Sequence, residues 1–455
     1  MRTENEVVLS ETESLCPECL ARIPALRVAR EQDVYLRKTC PEHGQFNVIV
    51  WRGTPRYTDW VRPKIPAYPS APITAKDKGC PFDCGLCPDH RQQTCTGLLD
   101  VTQRCDRGCE YCFADARSEG TPDPDFTAIR SWYETLLGMG HSSNIQLSGG
   151  EPTLRDDLPE IVEMGRSMGF QFIQLNTNGL RLARDPAFVE RLKEAGLGSV
   201  FLQFDGINDE VYSRVRRGRL FRTKVDALNN CRRNELGVIL VPTVVPGINS
   251  HMLGDIIRFA AEHAPVVRGV HFQPVSYFGR YPKHPVDADR ITLPEVIRSM
   301  EEQTSGSIRA ENFNPPGCEN SRCSFHGNFV VMPDGTLKAV TRFRPLEPCC
   351  SPTRADEGAA KARCFVLDHW ALPKTGESPA EPAQFSLGDW DILLERARTH
   401  MLCISGMCFQ DAWTVDLERL KDCCIHVVAP DNRLVPFCAY NLTSSEGRSL
   451  HRSGR

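Results

Sequence analysis

Between residues 98 and 272, short apolar runs alternate with helical periods. The runs Leu98–Thr102, Asn144–Leu147, Phe172–Asn176, Ser199–Phe204, Val238–Val245 and Gly269–Phe272 are bounded by turn residues. Between them, Leu158–Met168, Phe188–Ala195 and Ile256–His263 repeat apolar residues three and four apart, which is the spacing of one helix face. Strands alternating with helices predict βα units, a parallel sheet and right-handed connections. The expected fold class is α/β, a partial (β/α)6 barrel flanked by cysteine-rich N- and C-terminal modules. No run of 18 apolar residues occurs. The longest apolar stretch, near Gly237–Ile248, is interrupted by Pro242 and Pro246, so no membrane-spanning helix is expected.

Outside the barrel the pattern weakens. Four prolines in residues 62–72 mark an extended linker. The expected partition is a small metal ribbon at 1–62, a linker and auxiliary-cluster segment at 63–97, the barrel at 98–310, a cysteine-rich C-terminal domain at 311–442, and a disordered polar tail at 443–455. Lys374–Pro382 reads as a surface loop, and no internal repeat is present.

Composition narrows the function. The 455 residues carry 54 basic and 58 acidic side chains, a net charge of −4, which excludes the footprint of a nucleic-acid binder. A hydrophobic fraction of 41% excludes bulk disorder. The charged start, Met-Arg-Thr-Glu-Asn-Glu, lacks an apolar segment behind it, so no secretory signal is expected. The 21 cysteines of a chain kept in a reducing cytosol point to metal ligation rather than disulfides.

The sharpest motif is Cys105-Asp-Arg-Gly-Cys109-Glu-Tyr-Cys112, directly after the first barrel strand. Three thiolates at this spacing can ligate three irons of a [4Fe–4S] cube and leave the fourth open to a small chelating ligand. An ordinary zinc knuckle is the plain alternative. Tyr111 fits a ring that packs on such a ligand. Ser148-Gly149-Gly150-Glu151-Pro152 ends the second strand, where glycines admit close backbone approach and a carboxylate can receive an ammonium group. Asn176 ends the third strand and Asp205 follows the fourth, at the strand ends where barrels bind ligands; for each, a helix-capping polar turn is the alternative. Arg217 is a candidate partner for a ligand carboxylate, with a solvated basic patch as the alternative.

Three further groups of thiols read as metal sites. Cys80, Cys84, Cys87 and Cys95 make a four-thiolate set suited to a fully ligated [4Fe–4S] cluster beside the barrel mouth, with a zinc site as the alternative. Cys16, Cys19, Cys40 and His43 outline a ribbon with tetrahedral zinc or a mononuclear iron. One more cluster is expected to draw on Cys318, Cys323, Cys408, Cys423 and Cys438, unless several are merely small buried thiols. Neighbouring thiols such as Cys349/Cys350 and Cys423/Cys424 diverge and share one cube poorly. Cys231 reads as core.

CxxxCxΦC followed by GGEP resembles the radical S-adenosylmethionine (SAM) enzymes, in which Tyr111 would pack on adenine, the Gly-Gly-Glu turn would receive the methionine amino group and Arg217 its carboxylate. The full set of landmarks is Cys16-Pro-Glu-Cys19, Cys40-Pro-Glu-His43, Gly79–His90, the SAM motif, Phe409–Ala412, Ile425-His426 and Pro436–Asn441. It resembles the group containing the archaeal tetraether lipid synthases and their bacterial relatives. The resemblance implies a SAM cluster, one or two auxiliary [4Fe–4S] clusters and a mononuclear metal. It further implies a 5′-deoxyadenosyl radical that abstracts hydrogen from an unactivated C–H bond, and coupling of lipid alkyl chains by a new C–C bond. Methylation or other modification of a pterin-like molecule or peptide is the alternative, and a zinc-stabilised binding module or electron carrier is the reading without SAM chemistry. Expected partners are a small-molecule or lipid substrate and a low-potential donor such as ferredoxin or flavodoxin. The expected location is the cytoplasm, at the inner membrane surface if the substrate is lipid. Trp51, Trp60 and Phe272–Phe278 are candidates for that peripheral contact.

Overall fold

In a computed structural model of the chain, residues 6–70, 72–118, 122–343, 352–373 and 389–452 are described. Cys349, Cys350 and the loop expected at 374–382 lie outside them. The barrel strands form where the pattern places them: Thr96–Thr102, Asn144–Gly149, Ile173–Thr177, Ser199–Gln203, Gly237–Val241 and Val267–Pro274. Each pairs parallel to the next in chain order. Successive side chains of a strand point to opposite faces. Ile145, Leu147, Ile173, Leu175, Val200 and Leu202 are fully buried on the outer face, in one core with residues of the surrounding helices. The helix Pro186–Glu194 shows the local logic: proline occupies its first turn, the Asp185 carboxylate accepts from Phe188 N at 3.1 Å, and Phe188, Val189 and Leu192 face inward.

The segment 311–442 does more than append a module. Met401–Met407 pairs parallel to Val267–Pro274, and Ile425–Val428 pairs parallel to Thr96–Thr102, so this segment extends the sheet at both edges. Ser324–Val331 adds antiparallel to Met401–Met407 and turns back at Gly335, whose φ of +81° suits the Pro-Asp-Gly turn. Ile425–Val428 has only four residues, and Met401–Met407 is interrupted by Cys403, Ser405 and Gly406, which hides their period.

Residues 443–452 are not a loose tail. His451 and Arg452 are buried, and Arg452 pairs with Asp100 inside the first barrel strand at 3.0 Å and donates to Asn441 Oδ1 at 2.8 Å. A carboxylate inside a strand needs a partner, and this polar segment supplies it.

The N-terminal strands Glu6–Leu15, Arg22–Arg30, Asp33–Cys40 and Gly44–Trp51 form an antiparallel meander. It docks through the Arg27–Asp416 ion pair at 2.7 Å and through Lys38, which donates to Ser14 Oγ, Leu15 O and Ala412 O. Complete burial pulls the Lys38 ammonium down to about 7. Trp51, Trp60, Phe272, Tyr277 and Phe278 are all buried; Trp60, for instance, stacks on Phe343. They are packing residues, so the expected membrane contact is not found at these positions. No helix among the described residues is long and apolar enough to cross a membrane.

Candidate functional site

The parallel strands surround a cavity of about 780 Å³. Cys105, Cys109, Cys112, Tyr111, Gly149, Gly150, Glu151 and Asn176 all line it. Backbone pairing explains this convergence. Gly150 N donates to Thr102 O and Glu151 N to Arg104 O, both at 2.8 Å, so the end of the second strand is sewn to the start of the cysteine loop. A Cβ on Gly149 would lie 2.1 Å from Thr102 O, and one on Gly150 2.1 Å from Arg104 O. Only glycine permits that approach. The far side of the loop is held by Cys112 N to Arg280 O at 2.9 Å and by Arg280 Nε to Cys109 O at 2.9 Å. Burial raises the Cys105 thiol to about 12, and the nearby Glu151, Cys109 and Cys112 charges add to the rise. Three thiols on one loop at a cavity wall, beside a turn kept free of side chains, fit a [4Fe–4S] cube with one open iron.

The carboxylates and arginines differ from expectation. Glu151 is buried and accepts from Thr153 N and Oγ1, Thr177 Oγ1 and Asn178 N, between 2.6 and 3.1 Å, so it organises the turn. Burial still pushes its carboxyl above the ordinary value. Asp205 does not face a ligand. It clamps Arg216 at 2.7 and 2.8 Å, and Arg216 Nη1 in turn donates to Tyr111 O at 3.2 Å. Arg217 lies outside the cavity wall, with more than half of its side chain in solvent, and pairs with Glu110 at 2.7 Å. The inward arginine is its neighbour Arg216, because the chain turns left-handed at Arg217 (φ +54°) and swings that side chain out.

A second thiol set faces the same cavity. The sulfurs of Cys95, Cys318 and Cys424 lie within 4.8 Å of one another and are buried. Hydrogen bonds from Cys318 and Cys424 hold the Cys95 thiol well below its ordinary value. Cys318 Sγ donates to Glu319 Oε2 at 2.6 Å, and Cys424 Sγ lies 3.8 Å from that oxygen. This donor set fits an accessory metal group with three thiolates, with Glu319 at hand as an oxygen ligand. Cys95 therefore leaves the set expected with Cys80, Cys84 and Cys87. Cys95 also sits at the amino end of Thr96–Thr102, whereas Cys105 follows the carboxyl end. Seven strand residues separate the ends by about 23 Å. The accessory trio is at the barrel floor and not at its mouth.

Cys318 likewise leaves the expected C-terminal pool. Cys323, Cys408, Cys423 and Cys438 are neighbours: Cys438 is pushed to about 12 by burial, with Cys323 and Cys408 contributing, and Cys423 is raised by burial with Cys438 and Cys323 contributing. The vicinal pair does diverge, Cys424 toward the floor and Cys423 toward this group. Cys424 and Glu319 were missed by sequence reasoning. The only available signal for Cys424 was that divergence. Cys80, Cys84 and Cys87 stay close to each other, with Cys84 raised chiefly through Cys80. Cys231 is fully buried core.

In the ribbon, the ligand atoms of Cys16, Cys19, Cys40 and His43 gather within 4.8 Å. Cys19 Sγ to Cys40 Sγ is 3.9 Å, and His43 Nδ1 lies 3.6 and 3.4 Å from Cys16 Sγ and Cys40 Sγ. Tetrahedral zinc with ordinary bond lengths needs about 3.8 Å between sulfurs and about 3.6 Å from sulfur to nitrogen. The site fits the ion.

Comparison with known proteins agrees with this geometry. The radical SAM superfamily model matches residues 99–260, and a zinc ribbon model described as the HMPTM N-terminal domain matches residues 8–52. The chain is 37% identical to the 7,8-dihydro-6-hydroxymethylpterin dimethyltransferase of Methanocaldococcus jannaschii, over 97% of this chain and 94% of that protein. It is 29% identical to a probable GTP 3',8-cyclase of Methanothermobacter marburgensis, over 55% of this chain and 85% of that protein. Among solved structures, Streptococcus suis SuiB bound to its precursor peptide SuiA aligns with a TM-score of 0.40 at 14% identity, covering 48% of this chain and 46% of that one.

Proposed function

The chain belongs to the radical SAM superfamily, and on that premise we propose that it is a radical SAM methyltransferase acting on a reduced pterin. The observation that carries the reading is the 37% identity to a pterin dimethyltransferase along nearly the whole of both chains. It moves the reading from lipid coupling to the alternative the motifs had left open. The cavity wall is apolar over most of its surface but also carries Asn144, Gln146, Gln174, Asn176, Gln203 and His271, hydrogen-bonding groups for which a hydrocarbon chain has no use.

When bound, the cluster and SAM supply a reductively generated 5′-deoxyadenosyl radical able to take hydrogen from a C–H bond. Cys105, Cys109 and Cys112 would hold that cluster. Gly149 and Gly150 leave the wall beside it bare, and Glu151 fixes the turn that carries them. Asp205 keeps Arg216 charged and aimed at Tyr111 O, which steadies the loop between Cys109 and Cys112. Cys95, Cys318 and Cys424 would hold an accessory group at the floor. A low-potential electron donor such as ferredoxin or flavodoxin would serve the reduction, and the cytoplasm supplies the reducing setting.

The test uses anaerobically reconstituted protein with SAM, dithionite and 6-hydroxymethyl-7,8-dihydropterin deuterated at carbon. Deuterium in the released 5′-deoxyadenosine, together with methylated pterins in an expressing host, is the expected result. SAM cleavage with no deuterium transfer, or membrane-spanning lipids in the host with pterins unchanged, would sink it.

A further inference from the structure

The barrel wall between the two thiol trios carries polar side chains that none of the metal sites uses. We propose that a belt of carboxamides, Asn144, Gln146, Gln174, Asn176 and Gln203, reads the hydrogen-bonding edge of a flat nitrogen heterocycle while Phe201 and Trp370 carry its face. This rests on the pterin reading above and names the residues that would select such a substrate.

Register builds the belt. Gln146 stands level with Gln174 on the adjacent strand and donates to its Oε1 at 2.7 Å; Gln174 donates to Ser199 Oγ at 2.8 Å. Asn176 stands level with Phe201. With its amide oriented by its donor neighbours, Gln203 accepts from Arg216 Nε and Nη1 at 3.3 Å, which ties the belt to the mouth. At alternate positions on neighbouring strands, all five face the cavity.

The belt is incomplete by itself. Asn144 is 92% buried by its 8% exposure, yet its Nδ2 has no hydrogen-bond partner, and the buried Asn176 Oδ1 has none either. Both atoms lie within the wall with almost no accessible surface, so each amide has to rotate about its terminal bond to bring the unused atom to the cavity. The face is provided as well. The Phe201 and Trp370 rings are stacked 5.6 Å apart at 24°, and the His271 ring is 5.4 Å from Phe201. An edge that alternates donors and acceptors can pair with carboxamides at the cavity surface, whereas an alkyl chain cannot. Sites built to hydrogen-bond a substrate reject analogues lacking those groups.

The experiment is equilibrium dialysis of the anaerobic holoenzyme against 6-hydroxymethyl-7,8-dihydropterin, guanosine and a long-chain fatty acid. The variants are Asn144→Leu and Gln146→Leu, with the near-isosteric Asn144→Asp and Gln146→Glu as second versions in case the first pair folds poorly. The expected result is pterin retention by the native chain and a Kd raised at least about tenfold in the variants, with SAM affinity shifted far less. Native-like pterin affinity in every variant overturns the belt and leaves the pterin reading standing. Retention of guanosine but not pterin, lost in the variants, supports the belt and overturns the pterin reading. Retention of the fatty acid alone overturns both.

Discussion

The two thiol trios that face one cavity are built in opposite ways. The mouth set, Cys105, Cys109 and Cys112, comes from eight consecutive residues on a loop, with Cys105 and Cys112 partly exposed. The floor set draws Cys95, Cys318 and Cys424 from three distant parts of the chain, already in mutual contact and with their sulfurs buried. A loop pinned at both ends but open on one side can exchange a small chelating ligand on each turnover. A closed set contributed by separate segments can only form after the sheet has closed. Position on the barrel follows use: exchange at the carboxyl ends of the strands, permanence at the amino ends.

The largest expected effect separates the two sets. Cys109→Ala should reduce SAM cleavage by dithionite-treated protein at least about a thousandfold, because the open iron loses its support. Cys424→Ala should leave that cleavage within about tenfold while pterin methylation falls by more than about a hundredfold. Equal loss of cleavage in both, measured as 5′-deoxyadenosine released, would erase the distinction. Next in size is the support of the mouth. Asp205→Ala strands a buried guanidinium and should cost about 3–5 kcal/mol in urea unfolding, whereas Arg217→Ala, at a solvated ion pair, should cost less than about 1 kcal/mol. Similar costs would return Arg217 to the site.

The ribbon offers a third metal centre of local construction. His43→Ala should lower bound zinc and open residues 6–51 to proteolysis while the barrel resists, since a small unit of this kind depends on its ion. A fragment pattern matching the native one would show that docking through Lys38 and Arg27 suffices. The smallest effect concerns the wall between mouth and floor. Burial pulls the His271 imidazole down to about 4, below its ordinary 6.5. The unfolded chain then binds more protons between those values, so stability present above pH 6.5 is lost as pH falls toward 4. Through His271 alone, going from pH 7 to 5 should cost about 1–2 kcal/mol, and His271→Asn should remove that share of a slope in urea titrations to which the buried His90 and His426 also contribute.

What could be read in advance follows the same division between local and distant. The six barrel strands, the CxxxCxΦC loop, the Gly-Gly-Glu turn and the ribbon ligands all lie within short windows whose period or spacing states their role. Cys95 was assigned to its neighbours in sequence because nothing in a linear reading sets it beside residues 318 and 424. Arg217 is the candidate by sequence, but a left-handed turn at that residue, which no motif shows, points its side chain outward and leaves Arg216 inward. Asp205 looked like a ligand contact because its partner, Arg216, is a helix away. Ile425–Val428 is too short, and Met401–Met407 too interrupted by Cys403, Ser405 and Gly406, for a pattern to show. The proposed function departs from the first expectation for a related reason: the thiol motifs belong to the shared radical chemistry, while on this proposal substrate choice would sit in neutral amides that no motif marks.

The pairing of Ile425–Val428 with Thr96–Thr102 has a consequence for biosynthesis. During translation the first barrel strand emerges hundreds of residues before the neighbour that covers its free edge, so the ribosome-bound chain holds an unfinished sheet with open hydrogen-bonding groups. The Cys95 pocket cannot exist until Cys424 has left the exit tunnel. Any metal loaded at the barrel floor would thereby enter only in the interval after synthesis, and cells that make this chain faster than they can shelter it should accumulate it as aggregate.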